Sequence, residues 1–359
     1  LPGHIGMVVT HTAPGEVRRA GGRLFFQQRP AGANNYKLFV RDDGKDRLLV
    51  DPTTLDTTDS HFSLDWWVPS PDGTRIAFGL SKDGSEDSTL QIMEVATGRI
   101  TPERIPDTQL GYVLHWHPDG SGFFYNQLTG KVGTPGRYLD SRARYHRLGT
   151  DPAADRIVMA RGLDPEVAFE KIQFPAVLTS PTSEYAVLAL GDVRQEFRLL
   201  IAPLADVVAG TATWRQLADF TDEVTDLDLN GDELHLLSTR GHPRGRVLRA
   251  SAKAADLSKA TEVVPESMLV LQSIKRGKDG LYLQAMDGGL GRLKRLGIDD
   301  KLVDVALPFD GMLTGLAADP TTPGAVMLLS GWLTPSGVWS VDADGQVVDA
   351  GLTPKPPID

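Results

Sequence analysis

A short apolar strand returns along this chain at a near-constant spacing, and no other feature restricts the fold so strongly. Its centres fall at Phe25, Ala77, Phe124, Val187, Leu236, Tyr282 and Met327. The intervals are mostly about 45–52 residues, with one near 63, close to the period of a four-stranded repeat unit. Every repeat has the same grammar: an alternating strand, a Pro/Asp/Gly turn, a more apolar strand, then another turn and a third strand. The second repeat reads Trp66-Trp67-Val68, Ser70-Pro71-Asp72-Gly73, Arg75-Ile76-Ala77-Phe78. The third reads His115-Trp116-His117, Pro118-Asp119-Gly120, Phe123-Phe124-Tyr125. In such turns Pro presets φ, Asp bonds the local backbone and Gly accepts positive φ. Asn230-Gly231-Asp232, Lys278-Asp279-Gly280 and Thr321-Thr322-Pro323-Gly324 stand at the matching place in later repeats, and Asp344-Gly345 marks a hairpin near the end.

Helix signals are sparse. Short helical turns are expected at Leu204 to Val208 and at Ala252 to Lys259, and no long segment carries a 3.6-residue period with caps. Many short strands with regular turns leave a sandwich, a barrel or a propeller. Seven long repeats select the propeller, because each four-stranded sheet buries its faces only against its neighbours. A pair of β-sandwiches does not repeat at this period. The expectation is therefore all-β, a seven-bladed β-propeller filling residues 1–359 as one domain, and monomeric.

The composition agrees and excludes several functions. At 359 residues with 41% apolar content the chain has material for a large core. A net charge of −10 repels phosphate backbones and anionic lipid, so neither nucleic acid nor a membrane surface is expected as a partner. There is no cysteine, which excludes disulfides, thiolate zinc sites and a cysteine nucleophile. No apolar run approaches the roughly 20 residues of a membrane span. The start, Leu1-Pro2-Gly3-His4, has neither an initiator methionine nor a signal-peptide core, and reads as that of an excised or processed domain. The expected setting is soluble, cytoplasmic or periplasmic, with no cofactor.

Autonomous chemistry is not expected. A G-x-S-x-G elbow, which presents a strained and exposed serine, is absent; the nearest miss is Ser121 in Asp119-Gly120-Ser121-Gly122, in a hairpin turn. His115 and His117 flank Trp116, and on one strand both would point to one face. That spacing suits two metal ligands, a channel lining or a blade edge, and no third ligand accompanies it. Asp226-x-Asp228-x-Asn230-Gly231-Asp232 imitates the start of a calcium loop, but its twelfth position is Leu237 where a glutamate is required. An Asn-Gly hairpin explains the same residues. The Trp66-Trp67 pair reads as packing between blades.

Several ordered motifs carry a more specific signal. Residues 70–98 read SPDGTRIAFGLSKDGSEDSTLQIMEVATG, Trp116 opens WHPDGSGFFY, and Tyr145-His146-Arg147-Leu148-Gly149-Thr150 is followed by Asp155 and Ile157-Val158. Asp51-Pro52 follows Leu48-Leu49-Val50, and Leu333-Thr334-Pro335 precedes Val338-Trp339. From roughly residue 20 to 340 this order resembles the propeller domain of the prolyl oligopeptidase (prolyl endopeptidase) family of serine peptidases. The resemblance implies a non-catalytic domain whose face caps an α/β-hydrolase domain holding the Ser-Asp-His triad and limits access to short peptides. It implies first and last blades that meet without a shared strand, and an end at Pro356-Pro357-Ile358-Asp359 about where the family re-enters the hydrolase domain. The partners implied are that hydrolase domain and short peptide substrates.

Two positions follow from the resemblance. The family places an acidic residue after Gly-Ser in the second blade, facing a substrate-binding arginine of the hydrolase domain; here the run is Gly84-Ser85-Glu86. It also places an aromatic just before the Trp motif. A gapless count back from Trp116 reaches Gly111, and Tyr112 is the adjacent aromatic. Two other readings stand beside this one: a free-standing propeller that binds a protein partner, and an enzyme built on the central funnel around His115 and His117. Propellers host many functions, so the fold alone does not choose.

Overall fold

The computed structural model describes residues 12–352, apart from the side chain of Tyr112. Seven antiparallel meanders follow one another, six of four strands and one of three. The seven second strands are Arg23–Arg29, Arg75–Lys82, Gly122–Gln127, Tyr185–Gly191, Glu233–Ser238, Gly280–Asp287 and Thr322–Ser330. Each holds one of the seven apolar centres read from the sequence. The seven-bladed β-propeller is therefore borne out. The wide interval before the fourth blade is filled by the long loop at 128–141 and the crossing at 160–173.

Side chains alternate across a strand, so each blade offers an apolar set to both neighbours. Phe123 and Tyr125 pack toward blade 2, while Phe124 packs toward blade 4. The result is seven buried clusters, one at every interface between blades, including Phe25, Trp67 and Phe78 between blades 1 and 2. The predicted role of the tryptophan pair holds: Trp67 is fully buried against Phe25, with ring centroids 6.5 Å apart.

Among the described residues, blade 1 is built from N-terminal strands and blade 7 from C-terminal ones, with no strand shared between them. The ring closes by packing of Val17 and Phe26 on Val326, Val338 and Leu352. Arg19 Nη1 also donates to the Pro323 carbonyl at 3.0 Å. Blade 2 departs from the pattern. Its fourth strand is reduced to isolated bridges, Leu90 with Ile105 and Met93 with Ile100. The helical turns appear at Leu204–Ala209 and Leu257–Lys259. The turn of the last blade is tighter than its sequence suggests. Thr322 already begins the second strand, and Gly324 sits inside it with φ 84°.

The inner strands of blades 1, 2, 5, 6 and 7 each carry a register shift part-way along. An extra residue there increases local twist and re-aims a side chain, which suits strands crowded around an axis. In blade 2, Leu64 pairs with Leu80 and Trp66 with Gly79, leaving Asp65 as the extra residue.

Candidate functional site

Every inner strand begins at one end of the channel and finishes at the other. The loops joining second to third strands and the blade-to-blade crossings thus share one face, the loop face. The first-to-second and third-to-fourth turns share the opposite one, the turn face. The two differ chemically. Large apolar side chains stand exposed on the loop face, among them Val132, Tyr138, Val193, Met268, Trp332 and Leu333. Trp332 and Leu333, on the loop between the second and third strands of blade 7, are each 99% exposed. Among the described residues the turn face carries two, Ile100 and Ile298.

The channel holds a cavity of about 640 Å³ lined by inner-strand residues of all seven blades. Its wall at blades 5 and 6 is a pair of ion pairs, Asp226–Lys275 at 3.1 Å and Asp228–Arg276 at 2.9 Å. The Arg276 Nη2 donates to His235 Nδ1 at 2.9 Å. Burial, then the Arg276 and Arg249 charges, lower the His235 pKa to about 3. Burial pushes the Asp228 carboxyl up, against the pull of Arg276. Asp226 and Asp228 of the run that imitated a calcium loop are thus engaged by basic partners, and Asp232 accepts from the Ser251 hydroxyl and the Lys253 N–H. Gly231 turns a hairpin with φ 58°, and no cluster of three or more His, Asp or Glu suited to a metal exists among the described residues.

The two histidines of blade 3 both lie on the side opposite Trp116, as alternation along a strand requires, but they have different surroundings. The inner strand there is only His115–Trp116. His115 lines the channel, where burial, then the Arg18 charge, lower its pKa to about 4. His117 has left the strand. Its Nδ1 lies 2.5 Å from Asp119 Oδ1 and its ring stands edge-on to Tyr145. The chain turns immediately after Trp116, whose indole Nε1 donates to the Val68 carbonyl of blade 2 at 3.1 Å, so His117 stands in the turn while His115 borders the channel.

Glu86 lies on the loop face, between the strands Arg75–Lys82 and Thr89–Glu94. It is exposed, its φ is 58°, and its side chain has no hydrogen bond or ion pair among the described residues. A left-handed conformation disfavours any residue with a Cβ, so the loop around it must be held. Arg137 holds it. This side chain is 6% exposed and reaches Asp87 at 2.8 Å and Asp107 at 2.9 Å, while its Nη1 donates to the Gly130 carbonyl at 2.9 Å. Three segments are pinned by one guanidinium, and nothing in the local sequence announced it.

Tyr112 falls in the 3-10 turn Gly111–Val113; its side chain lies outside the described residues. The neighbouring departure has a clear cause. A Cβ on Gly111 would lie 1.8 Å from the Trp66 ring. The Trp66 indole already fills the space that an aromatic at position 111 would need.

The motif around Tyr145 also has a physical basis. His146 is fully buried, with Nδ1 2.8 Å from Asp155 Oδ1, and the Tyr125 hydroxyl donates to Asp155 Oδ2 at 2.8 Å. The Gly149 N–H donates to Glu103 Oε1 at 2.8 Å, tying the same turn to the crossing from blade 2. The Asp155 bonds lie inside blade 3, and the Glu103–Gly149 bond ties its third-to-fourth turn, on the turn face, to blade 2.

Seven meanders ringed about a channel, closed by packing and bearing two unlike faces, define a β-propeller domain. Residues 12–348 match the family model of the prolyl oligopeptidase N-terminal β-propeller domain, so this chain belongs to the prolyl oligopeptidase family. It is 26% identical over 321 residues to prolyl oligopeptidase A of Amanita bisporigera, covering 83% of this chain and 41% of that protein. It is 21% identical over 326 residues to the prolyl endopeptidase of Elizabethkingia meningoseptica, covering 89% and 44%. A solved prolyl endopeptidase superposes with TM-score 0.82 at 21% identity, over 98% of this chain and 51% of the other. Prolyl oligopeptidase B of Galerina marginata, solved with a 35mer hydrolysis and macrocyclization substrate, superposes with TM-score 0.80 at 18% identity, covering 98% and 52%. The chain spans about half the length of these relatives.

Proposed function

We propose that this propeller, residues 1–359 as one unit, caps the α/β-hydrolase domain of a prolyl oligopeptidase-type serine peptidase and restricts which peptides reach its active site. The observation that carries the reading is the one-sidedness of the exposed apolar residues. Two adjacent side chains that are almost wholly exposed, Trp332 and Leu333, are costly to leave in water on a lone domain, and aromatic anchors of this kind dominate interface energies. The loop face is then the covered one, and Glu86 is presented on it with no partner among the described residues. A carboxylate so placed can form a paired, charge-assisted contact with a guanidinium across the interface. The domain alone has no nucleophile elbow and is expected to leave a chromogenic prolyl peptide uncut.

The test combines this chain with the hydrolase segment of its natural parent. The pair should associate, and tryptophan emission should shift to the blue as Trp332 is buried. Trp332→Ser with Leu333→Ser should weaken association by at least about tenfold, while the thermal midpoint of the propeller alone stays put. Association that is indifferent to both substitutions would sink the reading. A natural reading frame that continues past Asp359 without a G-x-S-x-G elbow would favour the free-standing interaction module instead.

A further inference from the structure

Beside the Glu86 loop, between blades 1 and 2, lies a second cavity of about 260 Å³. Gln27, Asn34, Asn35, Tyr36, Ser63 and Asp65 line it. The side-chain polar groups of the first five make no hydrogen bond to any described residue. Elsewhere on this face such amides are used: Gln109 donates to the Tyr138 hydroxyl at 3.0 Å, and the Gln173 oxygen accepts the Glu170 N–H at 2.8 Å. The walls are fixed by the fold. Gly15 leaves room for the Tyr36 ring, since a Cβ there would lie 2.9 Å from it. Asp65 is the extra residue of the inner strand of blade 2, and its carboxylate accepts bonds from two hydroxyls, Ser81 Oγ at 2.8 Å and Ser88 Oγ. Among the described residues no basic side chain pairs with it. The charge of Glu86 acts on it from the adjoining loop, and Arg29 is held over the Tyr36 ring, 5.7 Å from its centroid, outside the cavity lining.

A carboxylate with no basic partner among the described residues, in the wall of a cleft that also presents free amide and hydroxyl groups, suits a cation that donates several hydrogen bonds. We propose that this cleft binds an organic cation, the ammonium or guanidinium group of a peptide. The proposal rests on reading the loop face as the side that meets peptide, and it adds a substrate class, peptides carrying a basic group, that the capping role does not specify.

The experiment uses this chain as it stands. The side-chain amide signals of Gln27, Asn34 and Asn35 are followed by NMR during titration with four probes: N-acetyl-lysine N-methylamide, N-acetyl-arginine N-methylamide, glycinamide and the neutral N-acetyl-norleucine N-methylamide. The expected result is saturable shifts with the cationic probes only, weakened by added salt. The lysine and arginine derivatives report a side-chain cation, glycinamide an N-terminal one. Asp65→Asn should weaken binding by at least about tenfold. Asn34→Leu, which leaves the Ser81 and Ser88 bonds intact, should do likewise if the first variant disturbs the blade. Equal shifts for all four probes, no shifts, or binding by Asp65→Asn at wild-type strength would overturn the proposal. Because no hydrolase segment is present, a failure here leaves the Trp332 result standing, and a failure of docking leaves this titration readable.

Discussion

Single residues divide between those whose partners lie inside the blades and an outward-facing carboxylate with none among the described residues. Glu86 is the latter. Glu86→Gln keeps the shape and removes the charge, so in the full-length parent kcat/KM should fall about tenfold with the propeller's thermal midpoint unchanged. Unchanged kinetics would make Glu86 a solvated loop charge. His115 and His235 are of the other kind. Their folded pKa values, about 4 and about 3, lie below the ordinary histidine value. Between there and about pH 6.5 the unfolded chain binds more protons than the folded one, so stability is complete above that window and falls as pH drops through it. Each contributes a slope of at most about 1.4 kcal/mol per pH unit. His235, at 1% exposure, sets the larger part, because His115 borders the channel lumen. Urea titrations at pH 7 and pH 5 should show the loss, and His235→Gln should flatten it. An equal slope in that variant would assign the acid sensitivity to other groups.

At the scale of strands and loops, local patterns were legible and long-range pairings were not. The seven second strands and the Pro-Asp-Gly turns follow from alternation and turn chemistry, both written in consecutive residues. Ser70-Pro71-Asp72-Gly73 reads directly: Asp72 Oδ1 takes the Ser70 hydroxyl at 2.6 Å and the Thr74 N–H at 3.0 Å. The ion pairs Asp226–Lys275 and Asp228–Arg276 were invisible to local reading, although their separation is one blade period. Equivalent positions on adjacent inner strands stand side by side, so scanning for opposite charges one period apart would have found them. No such rule finds Arg137, because irregular loops have no period. Its role is testable. Arg137→Met leaves Asp87 and Asp107 facing each other without a cation, at a cost of about 1–3 kcal/mol, since both carboxylates retain some solvent. Amides of 83–88 and 105–110 should exchange faster while those of blades 5 and 6 do not change. Uniform exchange across the molecule would mean that the clamp does not hold the Glu86 loop.

Over the whole molecule, the ring has six junctions where the chain passes directly from one blade to the next and one where it does not. Among the described residues that seventh junction is closed by side chains: a cluster of five buried residues, the Arg19–Pro323 bond, and a bond from Arg41 to the Ala350 carbonyl. It is also smaller than the clusters at the other junctions, such as the one shared by blades 3 and 4. Regions with fewer buried apolar contacts open at lower free energy than the global transition. The inner strands Ala13–Ala20 and Met312–Asp319 should therefore exchange their amides ahead of Phe174–Thr179, which is flanked by blades 3 and 5 along continuous chain. Val338→Ala removes buried volume from the seam and should cost about 1–3 kcal/mol. It should lower the opening free energy of blades 1 and 7 by that amount. The opening of blade 4, if it proceeds without the seam, should stay the same. A cysteine pair placed across the seam and oxidised should abolish the order, protecting blades 1 and 7 as well as blade 4. If the three inner strands exchange together before and after Val338→Ala, the propeller opens as one cooperative ring and the seam is no weaker than the junctions the chain crosses.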